Sequence, residues 1–235
     1  MVKDGVHARV PVYVKEDMIL MKPITTKDNS ITFHNPEYDE YYHSLSGAME
    51  EAVKKYAEPC RIAQLARKGS ITILDVCFGL GYNSAAAIDA ALEANPQCRV
   101  RILALENDQE ILNKARDIDA GFKNYSLIRK IAEMHNARQG SVEIELFLGD
   151  AIIKIKDVNE KVDAVFLDPF SPKRCPELWT EEFFRDIHKV MREGAILATY
   201  SCARSVRENL KKAGFEVMDG PFVGRNAPST LAVKR

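Results

Sequence analysis

The sequence predicts an α/β fold: a mostly parallel sheet of seven strands with helices on both faces and an antiparallel last strand. Three observations predict it. From residue 70 onward, short β-rich runs alternate with helical segments. The first of these runs leads through a glycine-containing turn directly into a helix. The last two runs are joined by a Gly/Pro-containing loop, 220–228, that holds no helix, so they must close as an antiparallel pair.

The first 69 residues differ in texture and are read as an extension docked on the sheet domain, residues 70–235. The extension holds candidate short strands at 10–14 and 18–21. An aromatic and acidic loop follows, Asn35-Pro36-Glu37-Tyr38-Asp39-Glu40-Tyr41-Tyr42-His43-Ser44, and then a helical stretch over 47–66 with a break at Pro59. In the sheet domain, periodicity and β-branched content predict strands at 71–76, 100–106, 142–148, 162–168, 195–200, 215–219 and 230–233. Between them lie an Ala-rich helix over 83–95, closed by Asn95-Pro96, and amphipathic helices over 109–120 and 125–137. Two more follow, one opened by Thr180-x-Glu182 and running to about 191, and one over 203–213 stopped by Gly214.

A chain of 235 residues with 46% hydrophobic side chains buries one good core. The 33 Lys and Arg against 34 Asp and Glu exclude a disordered chain and a general polycationic nucleic-acid binder. That balance hides an asymmetry, because residues 184–235 carry ten basic and five acidic side chains, a possible phosphate-facing surface or simply solvated helix faces. Apolar runs such as 85–88 and 195–198 fall far short of the roughly 20 residues of a membrane span. The N-terminus shows no signal or transit pattern, so a soluble, cytoplasmic protein is expected. The cysteines, Cys60, Cys77, Cys98, Cys175 and Cys202, lack any C-x-x-C spacing, and no metal site is expected.

Four motifs carry chemistry, each at the carboxyl end of a predicted strand. In Asp75-Val76-Cys77-Phe78-Gly79-Leu80-Gly81-Tyr82-Asn83-Ser84, two glycines allow the backbone to approach a ligand closely. Ser84 stands where a dinucleotide fingerprint needs its third glycine, which argues against a nicotinamide enzyme. Glu106, with Asn107 beside it, ends the next strand where a carboxylate accepts hydrogen bonds from ribose hydroxyls. Asp150 and Ala151 follow the third strand, placed to read an adenine edge. Either acid alone is more often a helix N-cap; three such features, the glycine turn and the two acids, on successive strand ends are much harder to explain that way. In the fourth motif, Asp168-Pro169-Phe170, a carboxylate is placed to stabilise positive charge on an attacking nitrogen or accept its proton, beside an aromatic face. A proline turn with Asp168 as turn former is the plainer alternative.

The whole pattern resembles the class I, Rossmann-like methyltransferases, and more specifically the methyltransferase domain of the MnmC-type tRNA enzymes. The stretches that carry the resemblance are Thr26-Lys27-Asp28-Asn29-Ser30, Tyr42-His43-Ser44-Leu45-Ser46-Gly47-Ala48, the Cys77-to-Asn83 turn, and Phe166-Leu167-Asp168-Pro169-Phe170-Ser171-Pro172 continuing to Trp179-Thr180. It implies S-adenosyl-L-methionine as cofactor and methyl transfer to the amine of 5-aminomethyluridine at the tRNA wobble position, with tRNA bound by its anticodon region. Asp168 then takes the family's acid position and Phe170 lines the base pocket, with Pro169, Lys173 and Trp179 on the acceptor side. Asp75, Cys77, Phe78, Gly79, Gly81, Asn83, Glu106, Asn107, Asp150 and Ala151 hold the cofactor, with Tyr42 and Ser44 closing over it. Cys77 replaces the usual first glycine of the loop, and Pro169 and Ser171 replace a glycine and an alanine. The FAD-dependent domain of the larger relatives has no room in 235 residues. The rivals are a small-amine methyltransferase or aminopropyltransferase on the same fold, a nicotinamide oxidoreductase, and a non-catalytic RNA-binding partner.

Overall fold

The computed structural model describes residues 21–235. The expected strand at 10–14, and all of that at 18–21 except Met21, lie outside the described residues. The chain next forms a small antiparallel sheet of β1 (Pro23–Thr25), β2 (Ile31–Asn35) and β3 (Glu40–Tyr41), the last of which lies within the stretch 35–44 expected to be loop. The Thr26-to-Ser30 motif is the turn between β1 and β2. Asp28 Oδ1 accepts bonds from Thr26 Oγ1 (2.6 Å), Ser30 Oγ (2.5 Å) and the Ser30 amide (3.1 Å), while Oδ2 accepts from the Glu50 amide (3.0 Å). Burial pushes this carboxyl up, but the bonds to its anion outweigh that and hold it at about 2. The motif thus fastens the small sheet to the start of α1 (Ala48–Glu51), whose N-cap, Gly47, offers no side chain. From there the chain enters a π-helical turn, Ala52–Ala57, breaks near Pro59 where Arg61 is left-handed (φ 58°), and resumes as α2 (Ile62–Ala66).

The sheet domain runs β4 (Ser70–Val76), α3 (Tyr82–Ala94), β5 (Arg99–Glu106), α4 (Gln109–Asp117), α5 (Tyr125–Met134), β6 (Asn136–Gln139), β7 (Val142–Leu148), α6 (Ala151–Lys154) and β8 (Val162–Leu167). It closes with α7 (Glu181–Val190), β9 (Met191–Thr199), α8 (Arg204–Lys212), β10 (Phe215–Asp219) and β11 (Thr230–Lys234). The strand order is β10-β11-β9-β8-β4-β5-β7-β6. The five central strands are mutually parallel, and β11 is antiparallel to both its neighbours, β9 and β10. All seven expected strands are present, in the expected mostly parallel arrangement.

An eighth strand was not expected. The helix predicted over 125–137 ends at Met134, because His135 turns left-handed (φ 56°), and Asn136–Gln139 pairs antiparallel with β7 across the Gly140-Ser141 turn. Helical spacing and a short hairpin arm cannot be told apart over so few residues. Strand β9 also starts four residues earlier than expected, at Met191, with a register shift against β8.

Strand β4 is apolar almost throughout because both its faces are covered. Ile71 and Ile73 pack into the layer of α2, α3 and α5, while Leu74 and Val76 pack into the layer of α6, α7 and α8. Parallel strands in one sheet place all their carboxyl ends on one edge, so the turns after β4, β5, β7 and β8 meet there. Gly81, the N-cap of α3, fixes how closely the first turn sits on the helical layer. Its φ is 73°, and a Cβ there would come 2.5 Å from Ile128 Cγ2 and 2.7 Å from Phe78 Cζ. Replacing Gly81 by Ala is therefore expected to cost about 2–4 kcal/mol, read from the urea midpoint. Gly79→Ala, whose Cβ meets nothing nearer than 3.7 Å, is expected to lose only about 1 kcal/mol.

Candidate functional site

The carboxyl edge of the sheet opens on a cavity of about 520 Å³, within the size range of small-molecule sites. Its floor is built by Cys77, Phe78 and Gly79 after β4, residues 106–108 after β5, residues 149–151 after β7, and residues 168–171 after β8. Its roof comes from the extension, mainly residues 40–45 with Asn35, Tyr38, Glu51 and Lys55, and from 223–225 in the loop before β11. Of the predicted residues, Tyr42, Ser44, Cys77, Phe78, Gly79, Glu106, Asn107, Asp150, Ala151, Asp168, Pro169 and Phe170 all line this space.

The β4 turn owes its shape to Cys77, which is left-handed (φ 64°), so the position that prefers glycine here holds a thiol. Cys77 and Phe78 amides both donate to the Leu105 carbonyl at 3.0 Å, pinning the turn to β5. Glu106 is buried. Its Oε2 accepts the Gly79 amide (2.7 Å) and its Oε1 the Asn107 and Asp108 amides (2.8 Å each). Oε2 keeps one acceptor position for a ligand hydroxyl. Asp108 caps α4 and accepts the Tyr42 hydroxyl at 2.5 Å, while Asn35 donates to that hydroxyl at 2.8 Å. Asp150 caps α6 through the Ile152 amide at 2.9 Å. A ring of carboxylates and backbone amides around a recessed, half-apolar space suits an adenosyl group.

The other half of the cavity centres on Asp168. One oxygen accepts the Tyr56 hydroxyl at 2.5 Å and the other the Asn83 amide at 2.9 Å. Withdrawal from water, then the nearby Glu51 charge, raise this carboxyl, and the two hydrogen bonds and Lys55 pull it back, leaving it at about 6. Beside it Phe170 stacks on Tyr38 (centroids 4.5 Å, planes 21° apart) and meets Tyr42 edge-on at 5.1 Å. The Tyr200 hydroxyl donates to the Pro169 carbonyl at 3.0 Å, and Ser171 is held by Glu40 through its amide (2.9 Å) and its hydroxyl.

Five predicted site residues lie outside the lining. Trp179 is buried, and its Nε1 donates to the Phe170 carbonyl at 2.9 Å, so it braces the acceptor loop from behind. Lys173 is exposed on the surface. Gly81 packs into the core, and Asn83 reaches the site only through Asp168. Asp75 is fully buried, with Oδ2 accepting the Ser84 hydroxyl at 2.6 Å and Oδ1 without a partner among the described residues. Tyr56, Glu51, Lys55, Glu40 and Tyr200 are not among the expected site residues, although Glu40 falls in the aromatic and acidic loop and Tyr200 ends a predicted strand. Glu51 and Lys55 carry only the spacing of an ordinary surface ion pair. The basic last quarter does not form a free cationic face. Seven of its ten basic residues, including Arg185, Arg192 and Arg207, sit in ion pairs with nearby acids.

Burial raises Asp75 to about 8, so it is mostly protonated at neutral pH. The native chain then holds a proton that the unfolded chain has released, and stability falls as pH rises from about 4 towards 8. Asp75→Asn is expected to remove that dependence. Its melting temperature should equal or exceed the parent's at pH 8.5 and lose the advantage by pH 5.

Residues 114–235 match the sequence profile of a family described as S-adenosyl-L-methionine-dependent methyltransferase. The crystal structure of MnmC2 from Aquifex aeolicus superposes with a TM-score of 0.79 at 35% identity, covering 91% of this chain and 70% of that one. An uncharacterised protein of Methanocaldococcus jannaschii is 32% identical over 94% of the chain. The tRNA 5-methylaminomethyl-2-thiouridine biosynthesis bifunctional protein MnmC of Leptospira interrogans is 28% identical over 85% of it. The chain spans 61% of the first of these two proteins and 33% of the second. Spermidine synthase from Thermotoga maritima shares the fold, with a TM-score of 0.57 at 11% identity. With its glycine turn, its strand-tip acids and more than half of its length matching, the chain belongs to the S-adenosyl-L-methionine-dependent methyltransferases, in the group that includes Aquifex MnmC2.

Proposed function

We propose that this methyltransferase methylates the primary amine of 5-aminomethyluridine at the wobble position of tRNA, in the cytoplasm. The observation that carries the reading is the place of Asp168, a carboxylate between the strand-tip acids and an aromatic stack of Tyr38 and Phe170. The names of the bifunctional relatives, which place them in tRNA 5-methylaminomethyl-2-thiouridine biosynthesis, support the acceptor.

The cofactor supplies an electrophilic methyl on a sulfonium and leaves as a neutral thioether. On this reading Glu106 takes the ribose hydroxyls, Asp150 with the Ala151 amide takes the adenine edge, and Cys77, Phe78 and Gly79 bring backbone close to the cofactor. Tyr42 and Ser44 cover it, Asn107 flanks it, and Asp75, Gly81 and Asn83 support the turn from below. The acceptor amine arrives mostly protonated at neutral pH. Asp168 takes that proton and releases it to solvent, which frees the nitrogen lone pair to form the new N–C bond as the S–C bond breaks; ionised again, it stabilises the positive charge the nitrogen gains. Phe170 and Tyr38 hold the planar base, Pro169 shapes its pocket, and Trp179 keeps the loop in place. The described part of the extension acts as part of the active site of the 70–235 domain, since its residues between 35 and 55 roof the cavity. Arg225 at the mouth, Lys173 on the adjoining loop and the stem of the anticodon arm make the natural phosphate contacts.

Labelled methyl from S-adenosyl-L-methionine is expected to enter tRNA bearing 5-aminomethyluridine and not tRNA lacking the aminomethyl group. Label entering spermidine instead would overturn the RNA assignment. Asp168→Asn is expected to lower the rate by about 10²–10⁴ while cofactor affinity by titration calorimetry stays within a few-fold. Because Asp168 must be ionised and sits at about 6, the rate should fall as pH drops below 6.

A further inference from the structure

The π-helical turn Ala52–Ala57 lies under the roof of the cavity, and its widened geometry closes with the Glu58 amide on the Val53 carbonyl at 2.9 Å. Such turns are rare and gather at functional sites. This one brings two neighbouring side chains to the same place. Tyr56, fully buried, reaches Asp168 with its hydroxyl, and Lys55, also buried, lines the cavity while pairing with the buried Glu51. Glu51 is held in turn by the Ser44 amide at 3.1 Å. A buried ion pair costs desolvation and is not by itself a source of stability, so its position against Asp168 asks for another role.

We propose that this turn is a positioning element for the active-site carboxylate: the Tyr56 hydroxyl and the Asn83 amide clamp one oxygen of Asp168 each, and the Glu51–Lys55 pair sets the charge that faces it. The clamp leaves Asp168 one rotamer, with its remaining lone pairs free for an acceptor proton. The ion pair places a carboxylate and an ammonium within electrostatic reach, so that the site is neither flooded with negative charge nor neutralised by a lone lysine. The groups facing Asp168 are Glu51, Lys55 and Tyr56 from this segment, Asn83 from α3, Asp75 and Cys77 from β4 and its turn, and Tyr200 after β9. Of these, Lys55 is the one cation, and Tyr56 the one hydroxyl bonded to the carboxylate. The proposal rests on Asp168 being the proton acceptor, but its test does not need the RNA.

The side-chain carboxyl carbon of Asp168 is followed by NMR through a pH titration of the ¹³C-aspartate-labelled full chain, with Asp168→Asn assigning the signal. Tyr56→Phe removes a bond made to the anion, so the midpoint is expected to rise by on the order of one pH unit. Glu51→Gln removes a facing anion and leaves Lys55 opposite Asp168, so the midpoint is expected to fall by a similar amount. The double variant should return close to the parent value. Opposite shifts that cancel are what a general loosening of the fold does not produce. If the two single variants move the midpoint in the same direction, or not at all, the proposal is overturned. Thermal melting identifies variants that fail to fold, and Asn83→Ala, which removes the other clamp, replaces Tyr56→Phe in that case. If the midpoints move as expected while the parent transfers no methyl to aminomethyluridine tRNA, the positioning role stands and the acceptor assignment falls.

Discussion

Negative charge is concentrated where this protein can least easily solvate it. Glu51, Asp75 and Glu106 are buried around the carboxyl edge of the sheet, and Asp168 is recessed among them. Every carboxylate there must be neutralised, hydrogen-bonded or paired, and each is handled differently. Asp75 keeps its proton, Glu106 is wrapped by three backbone amides, Glu51 pairs with Lys55, and Asp168 is clamped by a phenol and an amide. The turn after β4, the entry into α4 and the helical segment of the extension are the parts that supply those solutions. Their shapes follow from the charge they have to hold.

The extension is accordingly as much a part of the site as the sheet. Tyr42 joins it to the β5 turn through Asp108, Glu40 joins it to the β8 loop through Ser171, and Tyr38 lies flat on Phe170. Asp28 ties the small sheet to the helical segment that carries Glu51, Lys55 and Tyr56. The turn at Asp28 and Ser30 is thus bonded to the start of the helical segment that carries the tyrosine beside Asp168.

Much of this could be read in the sequence, because the parallel strands and their turns obey local rules: an apolar run, a glycine pair, an acid at the tip. Those rules led to Cys77, Gly79, Glu106, Asp150, Asp168 and Phe170, all of which line the cavity. What local rules could not show is the partner across space. Tyr56 is separated from Asp168 by more than a hundred positions, and nothing in Val53-Lys54-Lys55-Tyr56 marks a widened helical turn. Trp179 stands out as a motif residue, but its indole turns away from the cavity to hold the Phe170 carbonyl, with Tyr200 edge-on against the ring and Asn209 donating to the Trp179 backbone carbonyl. The hairpin arm at β6 hid inside a helical pattern for the same reason: four residues are too few for a period to assert itself.

That unexpected arm also settles how the sheet ends. Without it β7 would be the border, a seven-residue strand alternating Val142, Ile144 and Leu146 with glutamates, long and regular enough to template a strand from another chain. Instead the border is Asn136–Gln139, four residues of which three are exposed and polar. At the opposite border, β10 carries Glu216 and Asp219 locked to Arg235 and Arg207. The eight-stranded sheet therefore ends in two short, charged or polar rims, and its open hydrogen-bonding groups make a poor seed for edge-to-edge aggregation.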